Sequence, residues 1–496
     1  MNSLLQAVAD TAEREPQGDA LVGNNSGFSY GSLIDAAVGL SRQIVDNKVE
    51  TLALIADNGP EWVVVDLACQ LAECCFIPLP LFFSPVQIRH SIGQAGVDTL
   101  LVGANIPVPG YLEQERAIEG FTEYFRAYRL PVLIEASKPA ETRKITFTSG
   151  STGSPKGVCL GTEQQLAVAG SLASLIPIEQ PRHLCVLPLA TLLENIAGVY
   201  APLMSAGSIY LPSLEMLGYS GSSRLDPVRL LASIDHFQPH TMILIPQLLD
   251  MLINAAMQGW VAPSSLRFIA VGGSRVAASA IQQSRQLGLP VYEGYGLSEC
   301  ASVVSLNTPE NDLPGSAGKV LPHIKLDIVD GEIHVAGNSF LGYLNEPASW
   351  HPDSVVTGDL GGLDESGFIH LKGRKKNLLI SSYGRNISPE WIESEILTHP
   401  AIQQCVVVGD ARPYCCALIY ADSNVVDDDE IKQWLDCINP TLPDYARVLS
   451  WLRIAQPLTS EQGLLTANGR PRRAAINDFY ASAIDQFYDD SREIRA

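Results

Sequence analysis

The 496-residue chain has ten cysteines but no C-x-x-C pair and no Cys/His spacing that suits zinc. Cys74-Cys75 and Cys415-Cys416 lie in apolar runs, which predicts buried thiols in a reducing compartment rather than a disulfide framework or a metal knuckle. Residues 1–17 carry acidic side chains and lack the apolar core of a signal peptide. No run of about 18 apolar residues is available to span a bilayer, so a soluble cytoplasmic protein is expected. Positive charge is scarce as well. The net charge of −21 argues against nucleic acid as a partner, because a phosphate backbone would be repelled.

What is present is globular: 46% hydrophobic against 18% charged residues is incompatible with a largely disordered chain. The length predicts two or three domains. Helical spacing over 30–45, 60–72 and 84–95 alternates with strand-like runs at 51–56, 75–79 and 99–102. Strands are also expected at 182–187, 240–245, 266–271 and 290–292. Such alternation predicts an α/β fold with parallel sheets. From about Lys319 short strands and turns (324–328, 332–336, 368–371) predict a β subdomain. After Arg374, a helix at 389–397 and strands at 404–409 and 417–420 predict a separate α+β domain. The expected organisation is therefore a large domain over 1–373 and a smaller one over 377–496, with the charged segment 374–376 between them.

The most informative segment runs from Ile145 to Gly157. A strand feeds a loop with Thr148, Ser149, Gly150, Ser151, Thr152, Gly153 and Ser154, then Pro155, Lys156 and Gly157. Glycines let backbone amides turn inward to form an anion site, hydroxyls add donors, and Lys156 adds charge. Thr162 with Gln165 predicts a capping box for the following helix. The string is not a Walker A loop, since Pro155 stands in place of its second glycine and Gly157 in place of the hydroxyl residue after the lysine.

Thr148 to Gly157 resembles the signature loop of the adenylate-forming superfamily: acyl-CoA synthetases, acyl-AMP ligases, peptide-synthetase adenylation domains and luciferases. The resemblance covers almost the whole chain, since further motifs follow in the family's order. It implies that the loop holds the β- and γ-phosphates of ATP. Gly272, Gly273 and Ser274 resemble the adenine-side segment. Glu293, Gly294, Tyr295, Gly296, Ser298 and Glu299 resemble the Gly-Tyr-Gly-x-Thr-Glu motif, with Tyr295 against adenine, Ser298 near the α-phosphate and Glu299 as the magnesium ligand. Magnesium favours one or two carboxylates plus phosphate oxygens and water, so one glutamate suffices. Asp359 resembles the ribose-binding aspartate, Arg374 a ribose or phosphate contact, Lys376 the hinge residue, and Gly384 part of the loop presented to a thiol. The resemblance thus implies that the segment 374–376 is a hinge and that the smaller domain over 377–496 is mobile. The thiol implied is coenzyme A or the phosphopantetheine of an acyl-carrier protein.

Two departures stand out. Arg470 occupies the position of a family lysine that bridges substrate carboxylate and phosphate, and no lysine follows Lys432. Arginine keeps the charge but is planar and forked, so the exchange is not conservative at a tight site. Three outcomes remain open: Arg470 acts in the lysine's place, adenylation is slow, or the chain is a catalytically impaired nucleotide- or acyl-adenylate-binding protein. The second departure is Thr191, in Leu187 to Asn195, where long-chain acyl-CoA synthetases have histidine. That segment lacks the aspartate with which peptide synthetases pair an α-amino group. Together with Glu194 and Gly198 it implies an acyl pocket for a fatty or other apolar acid.

Overall fold

A computed structural model describes residues 2–107, 116–132, 134–148, 155–220, 224–422, 425–466 and 469–489. Among them two large sheets dominate. The nine-stranded sheet is parallel through its centre, where Phe268–Val271, Thr241–Leu244, Arg182–Leu184 and Ser208–Leu211 lie side by side and Val291–Tyr295 flanks them. The eight-stranded sheet has a parallel centre of Lys144–Thr148, Cys75–Pro78, Thr51–Ile55 and Thr99–Gly103.

Alternation along the strands explains the layering. Leu52 and Leu54 face one core with Ile209 and Leu211, whereas Ala53 and Ile55 face another with Ile88 and Leu100. Period-two side-chain direction produces this split, and apolar residues on both faces mark strands covered on both sides. Helices Ser3–Arg14, Tyr30–Asp46, Pro60–Leu71 and Thr162–Leu175 contribute to the core between the sheets. Helices Pro227–Phe237, Pro246–Met257 and Ala278–Gln286 cover the outer face of the nine-stranded sheet. The α/β expectation is met, with strand ends within about three residues of their expected positions.

A four-stranded antiparallel sheet, Lys325–Val329, Glu332–Ala336, Ser354–Leu363 and Ile369–Arg374, forms the β subdomain. Residues from 379 onward build two further cores around a three-stranded sheet of Ile402–Val408, Cys415–Ala421 and Val448–Arg453. All ten cysteines are free and nine are buried. Burial pushes the Cys159 and Cys415 thiols up to about 12, so they remain protonated and inert. Among the described residues no helix is long and apolar enough to cross a membrane.

The expected capping box of Thr162 and Gln165 is overturned. Gly161 is the cap residue, and its amide donates to Gln164 Oε1 at 3.1 Å while Gln165 Nε2 donates to the Gly161 carbonyl. The extended backbone of Gly161 places the first turn one residue earlier, so Thr162 is already helical. Glu194–Tyr200 is a π-helix, continued by the short α-helix Ala201–Met204.

Candidate functional site

The phosphate-loop strand Lys144–Thr148 forms a hairpin with Lys156–Leu160, in which Thr148 pairs with Lys156. Ser149, Gly150, Ser151, Thr152 and Gly153 lie outside the described residues. Lys156 emerges from the hairpin with its Nζ 3.0 Å from Glu346 Oε1 and 4.9 Å from the centre of the Tyr343 ring. The Tyr343 hydroxyl donates to Glu299 Oε1 at 2.8 Å. Lys156 and Glu299, 143 positions apart in sequence, are thus brought to one tyrosine.

A second cluster lies along the Val291–Tyr295 strand. The Tyr295 hydroxyl donates to Asp359 Oδ2 at 2.7 Å, and Arg374 Nε lies 2.7 Å from Asp359 Oδ1. Asp359 and Arg374 are cross-strand partners in the β subdomain, so the register itself fixes the pair. From the C-terminal part of the chain, Arg470 Nη2 donates to the Gly273 carbonyl at 2.6 Å. Burial raises the Asp359 carboxyl, while Arg374, the Tyr295 hydroxyl and Arg470 all pull it down. Gly272 and Gly273 follow directly on the Phe268–Val271 strand, and Ser274 beside them is exposed.

Gly296 precedes Ser298 and Glu299 and permits a close backbone approach: a Cβ there would lie 1.7 Å from the Ser302 carbonyl oxygen. That carbonyl turns back across the strand end because Ala301 and Ser302 have φ of 55° and 99°. Backbone held in such sparsely populated conformations costs about 1–3 kcal/mol per residue, which the surrounding packing must offset.

The neighbouring Glu293 is buried, and its carboxyl is pushed up to about 8 by burial, against the downward pull of Arg275 and the Val276 amide. Because the folded state holds this proton more tightly, its contribution is complete below about pH 4.5 and fades as pH rises through 8. Urea unfolding should therefore show stability falling between pH 5.5 and 8 by up to about 1.4 kcal/mol per pH unit from this group. Glu293→Gln should lack that component. Identical pH slopes for the two proteins would contradict the assignment.

The segment expected to line the acyl pocket is more self-contained. Glu194 is fully buried: its Oε1 lies 2.9 Å from His183 Nε2, and its Oε2 accepts from the Leu187 amide at 3.1 Å. His183 Nδ1 meets Thr241 Oγ1 at 2.8 Å. A Cβ at Gly198 would lie 2.3 Å from Glu194 Oε1, so the space at this glycine is filled by the His183–Glu194 pair. The ligand-type atoms of His183, Cys185 and Glu194 lie within 4.8 Å of one another, yet the histidine and carboxylate are already bonded within the chain. The Thr191 hydroxyl donates to the Pro188 carbonyl at 2.6 Å.

Lys376 is exposed in a short turn at Lys375–Asn377, and Gly384 is exposed in a turn closed by its own amide on the Ser381 carbonyl. Neither has a hydrogen bond to the two clusters. Tyr343 and Glu346 escaped the sequence reading, although the Gly-Tyr step at 342–343 and the following turn residues were visible.

The residues present fit a magnesium nucleotide. Glu299 spends one carboxylate oxygen on Tyr343, and among the described residues no hydrogen bond engages the other. One carboxylate oxygen of this kind matches magnesium's preference for few protein carboxylates. Two arginines and a buried carboxylate then stand on the side of Gly273.

Residues 8–344 match the AMP-binding enzyme family, and residues 376–492 match the AMP-binding enzyme C-terminal domain. A 2-succinylbenzoate–CoA ligase of Bacillus subtilis (strain 168) is 29% identical over 80% of this chain and 83% of its own. The long-chain-fatty-acid–CoA ligase FadD15 of Mycobacterium bovis is 29% identical over 86% of each chain. Among solved structures, an anthranilate CoA ligase in complex with anthranoyl-AMP superposes with a TM-score of 0.80 at 18% identity, over 97% of this chain and all of that one. An O-succinylbenzoate coenzyme A synthetase of Bacillus subtilis, in complex with ATP and magnesium ion, gives 0.76 at 24% identity, covering 94% and 98%. These two likenesses show a shared fold.

Proposed function

The chain belongs to the AMP-binding enzyme family, and from that premise we propose an acid–thiol ligase that joins an apolar carboxylic acid to coenzyme A through an acyl-adenylate. The observation that carries this reading is the convergence of Asp359, Arg374, Tyr295 and Arg470 beside Gly273. A carboxylate there can accept from ribose hydroxyls while two guanidinium groups face the α-phosphate.

The substrate carboxylate attacks the α-phosphorus of ATP, the bond to pyrophosphate breaks, and acyl-AMP forms. The nucleophile is already ionised, so alignment and charge stabilisation supply the rate. Thr148, Lys156 and the loop between them grip the β- and γ-phosphates. Glu299 would hold magnesium, which when bound would supply charge neutralisation at the triphosphate. Arg470 offers a cation to the carboxylate and the α-phosphate. Residues 377–496 then turn about Lys376, withdrawing Arg470 and presenting the loop of Gly384 to the thiol. The thiol's sulfur attacks the acyl carbon and AMP leaves.

Glu194 supports an acid without an α-ammonium group. Its carboxylate is consumed by His183 and the Leu187 amide, leaving no counter-charge in the segment where peptide synthetases pair an amine. The long-chain and aromatic acids named for its relatives bracket the substrate class.

The test is acid-dependent pyrophosphate release over aliphatic and aromatic acids, followed by acyl transfer to coenzyme A or to a phosphopantetheinylated carrier protein. Arg470→Lys is expected to retain or raise the first half-reaction, since a slimmer cation fits the same gap. No pyrophosphate release with any acid, by either chain, would favour a nucleotide-binding protein instead. Loss of adenylation in a folded Arg470→Lys variant would overturn the role given to this residue.

A further inference from the structure

We propose that the segment Tyr343–Glu346 is a clasp in which Tyr343 positions Glu299 and Lys156 for a magnesium triphosphate and Glu346 holds Lys156 until that ligand arrives. The inference rests on the reading above and extends it to two residues that would not themselves touch the substrate.

The clasp is firmly built. Tyr343 pairs with Val158 on the strand that begins at Lys156, and its amide donates to Ser349 Oγ at 2.8 Å. Its carbonyl accepts from Trp350 Nε1 at 3.1 Å, and the Leu344 amide donates to the Gly157 carbonyl at 2.9 Å. The Phe340 ring packs edge-on against the Tyr343 ring, with centroids 4.8 Å apart. Phe340 also donates its amide to the Glu299 carbonyl at 2.8 Å. The tyrosine is thereby anchored to the lysine's strand on one side and to the glutamate's backbone on the other.

Its two ends do different work. The hydroxyl fixes the plane of the Glu299 carboxylate by binding Oε1, which leaves Oε2 as the oxygen that would take a metal ion. The ring face attracts the Lys156 ammonium without neutralising it. Glu346 does neutralise it, through an exposed ion pair in which both side chains are about half accessible (49% and 47%). Pairs of that kind are weak, so a triphosphate displaces Glu346 readily.

The signs of the two substitutions are opposite, which a merely structural role would not produce. Binding of α,β-methylene-ATP to the full chain is measured by calorimetry, with magnesium varied and with magnesium chelated. For Tyr343→Phe the magnesium concentration giving half-maximal enhancement should rise about tenfold, because a charge-assisted hydrogen bond to the ligating carboxylate is lost. Metal-free binding should stay unchanged. For Glu346→Gln nucleotide binding should tighten several-fold with or without metal, since a competing carboxylate is removed. Equal weakening of Tyr343→Phe in both conditions, no change in it, or weaker binding by Glu346→Gln would overturn the clasp alone. Absence of nucleotide binding by the native chain would overturn the functional reading and the clasp with it.

Discussion

Alanine at Lys156 or at Glu299 is expected to cut acid-dependent pyrophosphate release at least about a hundredfold, while the protein remains folded. Removing one preorganised charge from a phosphoryl-transfer site costs on the order of 3 kcal/mol of transition-state stabilisation. Neither residue carries much of the fold. Lys156 is about half exposed and its ion pair with Glu346 is a surface pair, worth about 0–1 kcal/mol. Glu299 gives up one hydrogen bond to Tyr343 at a partly exposed position. The two variants should therefore separate turnover from stability, with thermal unfolding close to native. Near-native turnover in both would remove the triphosphate from this end of the site.

Lys144→Ala should do the reverse and unfold the protein more easily, by about 3–5 kcal/mol. The Lys144 ammonium is buried, 3.1 Å from the Asp66 carboxylate and 2.7 Å from the Tyr200 hydroxyl, with Asn195 Oδ1 a third partner. Asn195 and Tyr200 in turn donate to Asp66 Oδ2 at 2.8 Å and 2.7 Å. Burial lowers the lysine's pKa and the Asp66 charge raises it, so the ion pair holds only while both members are present. Truncating the lysine leaves a carboxylate in the core between the sheets with two neutral donors. Replacing both, as in Asp66→Asn with Lys144→Met, should recover much of the loss, because an uncompensated charge is avoided. Chemical denaturation of the single and double variants measures this directly, and an Lys144→Ala loss under 1 kcal/mol would contradict it.

The sequence was most legible where local physics decides. Alternating apolar residues predicted the strand Glu332–Ala336 to the residue, and Pro60 at the start of its helix marked that boundary. Asp359 and Arg374 each stand out within a short stretch of sequence, but their pairing follows from the register of the hairpin that carries them. What stayed hidden depends on distant partners. Glu194 looked like an open pocket carboxylate until His183, on another element, was seen to occupy it. Lys144 and Asp66 are 78 positions apart, and nothing in either neighbourhood announces the other. Tyr343 reaches Glu299 across 44 positions through a strand only two residues long. The π-helix escaped because its small residues also suit ordinary helical spacing.

The uneven burial of the thiols has a practical consequence. Cys437 is the exposed one, and it lines a crevice with Met257 and Ser279 from the large part of the chain and with Trp434 and Thr441 from the C-terminal part. A maleimide dye applied to the native protein would therefore mark one position at the seam between the two bodies. Its emission would test whether residues 377–496 turn about Lys376 as proposed: a change on adding ATP and an acid is expected, and an unchanged signal would contradict the rotation.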